Sequence, residues 1–178
     1  MRPLRRALLV AGVGGIAAVA GYAANLWRIG ALGPAPAPDV AAAILDSRLH
    51  TLDGAVQTLS RFRGQVLVIN YWATWCAPCR EEIPVFIKLQ KEFTGNGVQF
   101  IGIAVDQADK VRDFAQEFGI NYPLLIAGMD AVELSRQAGN KAGVLPYTLV
   151  LDRSGTIAAS LVGGISEVRM REQLTPLL

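Results

Sequence analysis

Cysteine and histidine are both scarce in this chain, with two of the first and one of the second among 178 residues. Two thiols exclude a disulfide-dense scaffold, and the lone His50 excludes a multi-histidine metal site. Charge is thin as well, at 18% of residues, where an average globular chain carries about 25%. Nor is there a surplus of basic residues over most of the length. The formal net charge of +2 rests on Arg2, Arg5, Arg6 and Arg28, which share residues 1–28 with no acid. The remainder sets 13 basic against 15 acidic residues. No basic face is left for a phosphate backbone, so nucleic-acid binding is not expected. Internal repeats are missing, and so is low-complexity sequence apart from one short linker. What is plentiful is apolar side chain, 52% of the total. That is enough to bury a core and excludes disorder throughout. The length suits one ordinary domain plus an appendage.

The appendage is N-terminal. Residues 7–27 read ALLVAGVGGIAAVAGYAANLW, 21 residues without a charge. As helix they extend about 31 Å, close to the hydrocarbon thickness of a bilayer. A helix in water needs a polar face, and this run has none. Arginines lie at its near end; Tyr22 and Trp27 lie near its far end, where amphipathic rings favour the interface. The expectation is a signal anchor over residues 1–28. Its N-terminus is cytoplasmic, and everything after it crosses the membrane. Ala18-Val19-Ala20 also fits a small-x-small cleavage site, so a cleaved signal peptide is the second reading. The run is longer than a usual signal core and continues past that site, which favours the anchor. Residues 29–38 form a Pro/Ala linker whose alternating prolines favour an extended tether. The domain is expected over residues 39–178.

Within it, residues 40–49 read as a short helix or entry segment. Asp53-Gly54 between the short runs 49–52 and 55–59 signals a hairpin whose two turn residues both tolerate positive φ. Residues 66–72, VLVINYW, are apolar and β-branched enough for a buried central strand. Residues 77–94 have helical periodicity, with Pro84 expected to kink them. A second buried strand follows at 98–105, then a helix at 109–118 and a short strand at 122–126. A helix at 130–138 carries Asp130 as its cap, with Glu133 three residues on. Strands at 147–151 and 156–162 flank a turn, and 166–178 is a closing helix. Strands alternating with helices predict an α/β sandwich, and the late strand–turn–strand adds an antiparallel edge to a mixed sheet.

Both cysteines fall in Trp75-Cys76-Ala77-Pro78-Cys79, between the first buried strand and the long helix. A C-x-x-C at such a junction reads as a redox pair. Helical spacing puts both sulfurs on one face. The helix N-terminus stabilises a thiolate at Cys76, which makes it the attacking sulfur, and Cys79 the resolving one. A zinc site needs two more ligands, with His50 the only candidate of that kind. A structural disulfide here restrains almost no chain entropy. A c-type haem site needs histidine where Arg80 stands.

The run VLVINYWATWCAPCREEIP, residues 66–84, resembles the signature of thioredoxin-fold proteins. More narrowly it resembles the membrane-anchored, TlpA-like thiol–disulfide oxidoreductases, which include the cytochrome-c-maturation and spore-type reductases. The likeness extends over residues 45–178, through LHTLDGAVQTLSRFRGQ and Gly143-Val144-Leu145-Pro146-Tyr147-Thr148. It implies a thioredoxin-like sandwich with a central mixed sheet flanked by helices. It also implies a cis bond before Pro146 that faces the disulfide and keeps metal ligands off it. Leu145 then offers backbone groups to an extended substrate, and Trp75 and Pro78 complete the contact surface. Classical thioredoxins carry a buried aspartate where Asn70 stands, so the proton of Cys79 needs another carrier. Glu82, one turn beyond Cys79, matches a glutamate of the TlpA-like reductases, whereas Glu81 points away toward solvent. Desolvation is expected to raise the Glu82 pKa toward neutrality. Gly163-Gly164 is a candidate lining of the same groove.

The resemblance implies no cofactor and no metal. It places the domain on the periplasmic side of a bacterial inner membrane. A membrane thiol transporter is the electron donor, and disulfide-bearing envelope proteins, such as an apocytochrome c or a copper-site assembly protein, are the clients. Ala77-Pro78 is close to the Gly-Pro of reducing thioredoxins, which favours a reductase. A thiol peroxidase of this fold is the main alternative, but it needs threonine where Ala73 stands. A copper-delivery or binding module needs wider cysteine spacing and a later histidine.

Overall fold

A computed structural model describes residues 38–178. The expected anchor and all but the last residue of the linker lie outside the described residues. Among the described residues no helix is long and apolar enough to cross a membrane.

The strand β3 (Val66–Trp72) is the axis of the domain, and every one of its residues is buried. It pairs in parallel with β4 (Val98–Ala104) and antiparallel with β6 (Tyr147–Leu151). β5 (Leu124–Ile126) continues the parallel side, and β7 (Ile157–Val162) the antiparallel side. Among the described residues, the hairpin β1 (Leu49–Thr51) and β2 (Val56–Gln57) completes a seven-stranded mixed sheet of order β2-β1-β5-β4-β3-β6-β7.

Alternate residues of a strand face opposite sides, so β3 feeds two cores. Val66, Val68 and Trp72 pack with α2 (Ala77–Phe93), α3 (Ala108–Phe118) and α5 (Glu167–Leu174) through Ile83, Phe86, Phe114 and Met170. Leu67, Ile69 and Tyr71 pack on the other side with α1 (Pro38–Asp46) and α4 (Met129–Gln137) through Ile44, Leu45 and Ala131. The result is the expected thioredoxin-like layering of helices on both faces of a mixed sheet.

Local differences have physical causes. The hairpin turn has three loop residues, because Gly54 N–H donates to Thr51 C=O and Thr51 N–H to Ala55 C=O. Of these three loop residues only Gly54 has positive φ, at 87°, so the Asp53-Gly54 pair does not form the expected two-residue turn. Residues 59–62 form a 3-10 turn rather than continuing a strand. Asp130 does not cap α4: the N-cap is Gly128, and the Asp130 carboxylate accepts from Ala131 N–H. The helix α2 runs unbroken through Pro84, which sits with Arg80 on the solvent side. There the carbonyl that loses its partner meets water instead. The closing helix stops at Leu174 and finishes as a 3-10 turn around Pro176.

Candidate active site

β3 ends at Trp72, the chain crosses a short loop, and Cys76 becomes the N-cap of α2. Its carbonyl accepts the first helical bond, from Arg80 N–H at 3.2 Å. Pro78 stands in the first turn, where a missing N–H costs nothing. Cys76 and Cys79 are joined by a disulfide with Cα atoms 5.3 Å apart. Both are buried, Cys79 completely. The exposed helix N-terminus favours negative charge on the first sulfur when the bond is open.

Trp75 is 68% exposed beside the disulfide, whereas Trp72 is buried against Phe114, with ring centres 5.3 Å apart. The Leu145–Pro146 bond is cis. Leu145 joins Trp75, Cys76, Pro78, Tyr71 and Val105 around a groove of about 490 Å³. Among the described residues, no charged side chain lines it. Pro146 is buried behind it, its carbonyl accepting from Gly163 N–H at 2.9 Å. Gly163 has φ of 83°, a conformation that favours glycine, and Gly164 passes close to Pro78. The elements thus bring Cys76, Cys79, Trp75, Pro78, Leu145 and Pro146 to one end of the sheet.

Glu82 lies on the buried face of α2, one turn past Cys79, and is 2% exposed. Glu81 is exposed. One Glu82 oxygen accepts from Asn70 Nδ2 at 2.8 Å, the other from Ile165 N–H at 3.0 Å. Burial pushes its pKa from 4.5 up to about 7, against the pull of those two donors. Asn70 also donates to Thr148 Oγ1 at 3.0 Å, its register partner on β6.

Sequence reasoning singled out Asn70 and Glu82 but not what holds them. Ile165 N–H is 83 residues from Glu82 and carries no signature, since any residue supplies a backbone donor. Asp106 was missed too. It accepts from Thr74 N–H at 3.0 Å and from the Thr74 hydroxyl, and so pins the loop before Cys76. An acidic residue just past a predicted strand was the only available hint.

The comparisons agree with this geometry. Residues 35–160 match the AhpC/TSA family. A thioredoxin-like protein of Bacillus subtilis, YneN, is 32% identical over 72% of this chain and 75% of its own length. The thiol–disulfide oxidoreductase ResA of Geobacillus thermodenitrificans is 30% identical over 72% of each. The crystal structure of a secreted thiol–disulfide isomerase from Corynebacterium glutamicum superposes with a TM-score of 0.66 at 31% identity, over 74% of this chain and 83% of that one. With the disulfide seated where the C-x-x-C predicts, the chain belongs to the AhpC/TSA family, among its thioredoxin-like thiol–disulfide oxidoreductases.

Proposed function

We propose that this protein is a membrane-anchored reductase of protein disulfides facing the periplasm. The observation that carries the reading is the cysteine pair at the start of α2, beside a cis-proline loop and an uncharged groove. In the reduced state the Cys76 thiolate attacks a client disulfide. A mixed disulfide forms, and one client thiolate leaves and takes a proton. Cys79 then gives its proton to Glu82 and attacks Cys76 Sγ. The second client thiolate leaves, and Cys76–Cys79 closes. Two electrons have passed from enzyme to client, and a membrane thiol transporter returns them. A pKa near 7 lets Glu82 take and return a proton at working pH. Trp75, Pro78, Leu145 and Pro146 form the contact surface.

Residues 1–28 are the anchor, 29–38 the tether and 39–178 the catalytic domain. The uncharged run of 7–27 and its flanking arginines support this arrangement. Apocytochrome c or a copper-site assembly protein fits as client by family likeness, and Ala77-Pro78 supports the reducing direction.

Two measurements test the reading. A Cys79→Ser variant, expressed with its own envelope, accumulates a dithiothreitol-sensitive adduct whose partner mass spectrometry identifies. The wild type speeds insulin reduction by dithiothreitol, and Cys76→Ser does not. Peroxide consumption without insulin reduction would sink the reading.

A further inference from the structure

The reaction scheme leaves unused an arrangement on the wall of the groove. Asn140 follows α4 and is 2% exposed. Its side-chain oxygen accepts from Val144 N–H at 3.0 Å, and its amide nitrogen donates to Val144 C=O at 3.0 Å. Its own backbone is tied down as well. The Asn140 N–H donates to Ser135 C=O at 2.9 Å, and its C=O accepts from Gly143 N–H at 2.8 Å. One side chain therefore occupies both backbone groups of one residue, as a neighbouring strand would.

Leu145, the next residue, is the opposite case. Among the described residues, no hydrogen bond engages its N–H or its C=O. Its side chain is nonetheless packed against both hydrophobic layers, so the residue is held in place. Val144 is 41% exposed beside it. Asn140 therefore ties down the residue that leads into this open one.

We infer that Asn140 is a positioning residue that holds the client-pairing edge of the groove in place. By clasping both backbone groups of Val144 it fixes the chain that leads into Leu145, whose own N–H and C=O stay open beside Cys76. An extended client then pairs at Leu145. Freed of the clasp, Val144 would let Leu145 shift, and the client cysteine with it, away from Cys76. This inference rests on the reading of the site as a protein-disulfide exchange centre.

The test compares two substrates on the full chain. Insulin has a backbone to pair with that edge, and 5,5′-dithiobis(2-nitrobenzoate) has none. Asn140→Ala should lower the ratio of kcat/KM on insulin to that on the small disulfide by about tenfold, mainly through KM on insulin. Asn140→Asp keeps an acceptor for Val144 N–H but sets a second acceptor against its C=O, so it should lower the ratio at least as far. Equal losses on both substrates, or an unchanged ratio, would overturn the inference. Amide exchange on the wild type gives a check that needs no Asn140 variant. Val144 should be protected and Leu145 fast. Leu145 should become slow once a peptide is held in mixed disulfide by the Cys79→Ser form. Equal exchange at the two residues, or no slowing of Leu145, would also overturn it. A wild type inactive on both substrates would overturn the disulfide reading itself, and this inference with it.

Discussion

Glu82 holds a proton that the unfolded chain gives up. Below about pH 4.5 both states keep it. As pH rises toward 7 the unfolded state ionises first, because its pKa is not raised. Stability of the oxidised protein therefore falls across that window, by roughly 1.4 kcal/mol per pH unit, and levels off above it. Urea unfolding at several pH values should show the slope, and Glu82→Gln should flatten it. The substitution is tolerable because Asn70 can turn over. Its oxygen then accepts from the glutamine amide and from the Thr148 hydroxyl. The same variant should slow thiol exchange near neutral pH and shift cysteine alkylation to lower pH, since a nearby negative charge opposes a thiolate. Superimposable alkylation profiles would remove Glu82 from the proton route. The burial of Glu82 is legible in the sequence, because its spacing from Cys79 fixes the helix face. The Asn140 clasp is not. It depends on a loop geometry that no periodicity announces, and asparagine near a glycine reads only as a turn.

α3 and the loop that carries the cysteines are joined at one carboxylate. Asp106 follows β4, accepts from Thr74 with one oxygen, and from Gln107 N–H with the other at 2.8 Å. Burial opposes its charge, but the donors outweigh burial and hold the carboxyl below its usual pKa range. Asp106→Ala strips both contacts, so the variant should lose about 1–2 kcal/mol in urea unfolding. A loss of only a few tenths would mean that the loop holds itself. Elements with strong periodicity were readable in advance: β3, apolar but for Asn70, and the one-sided α2 follow directly from side-chain spacing. Their ends were harder. Asp130 looks like a cap because aspartate favours both the cap and the first turn, and only the backbone shows which it occupies. Asp53-Gly54 fits a two-residue or a three-residue turn equally well, and the hydrogen bonds of Thr51 decide between them.

Across the whole domain, protection should follow the sheet order. β3 is flanked by β4 and β6 and buried on both faces, whereas β1 and β2 form the short outer hairpin. Amide exchange should be slowest at residues such as Val68 and Ile101 and much faster at His50 and Val56. Comparable rates in the two regions would contradict this ranking. The last strand is not the end of the working unit. Ile165, beyond β7, supplies one of the two donors on Glu82, and Met170 and Leu174 beyond it are fully buried. A chain trimmed after Val162 would keep both cysteines and every strand of the described residues. It would also lose a donor to the carboxylate and uncover the layer beneath α5. For anyone grafting this domain into a fusion, the cysteines and the tail form one cassette. A cut between them leaves a protein that looks complete on a sequence map and lacks one of the two donors that hold Glu82.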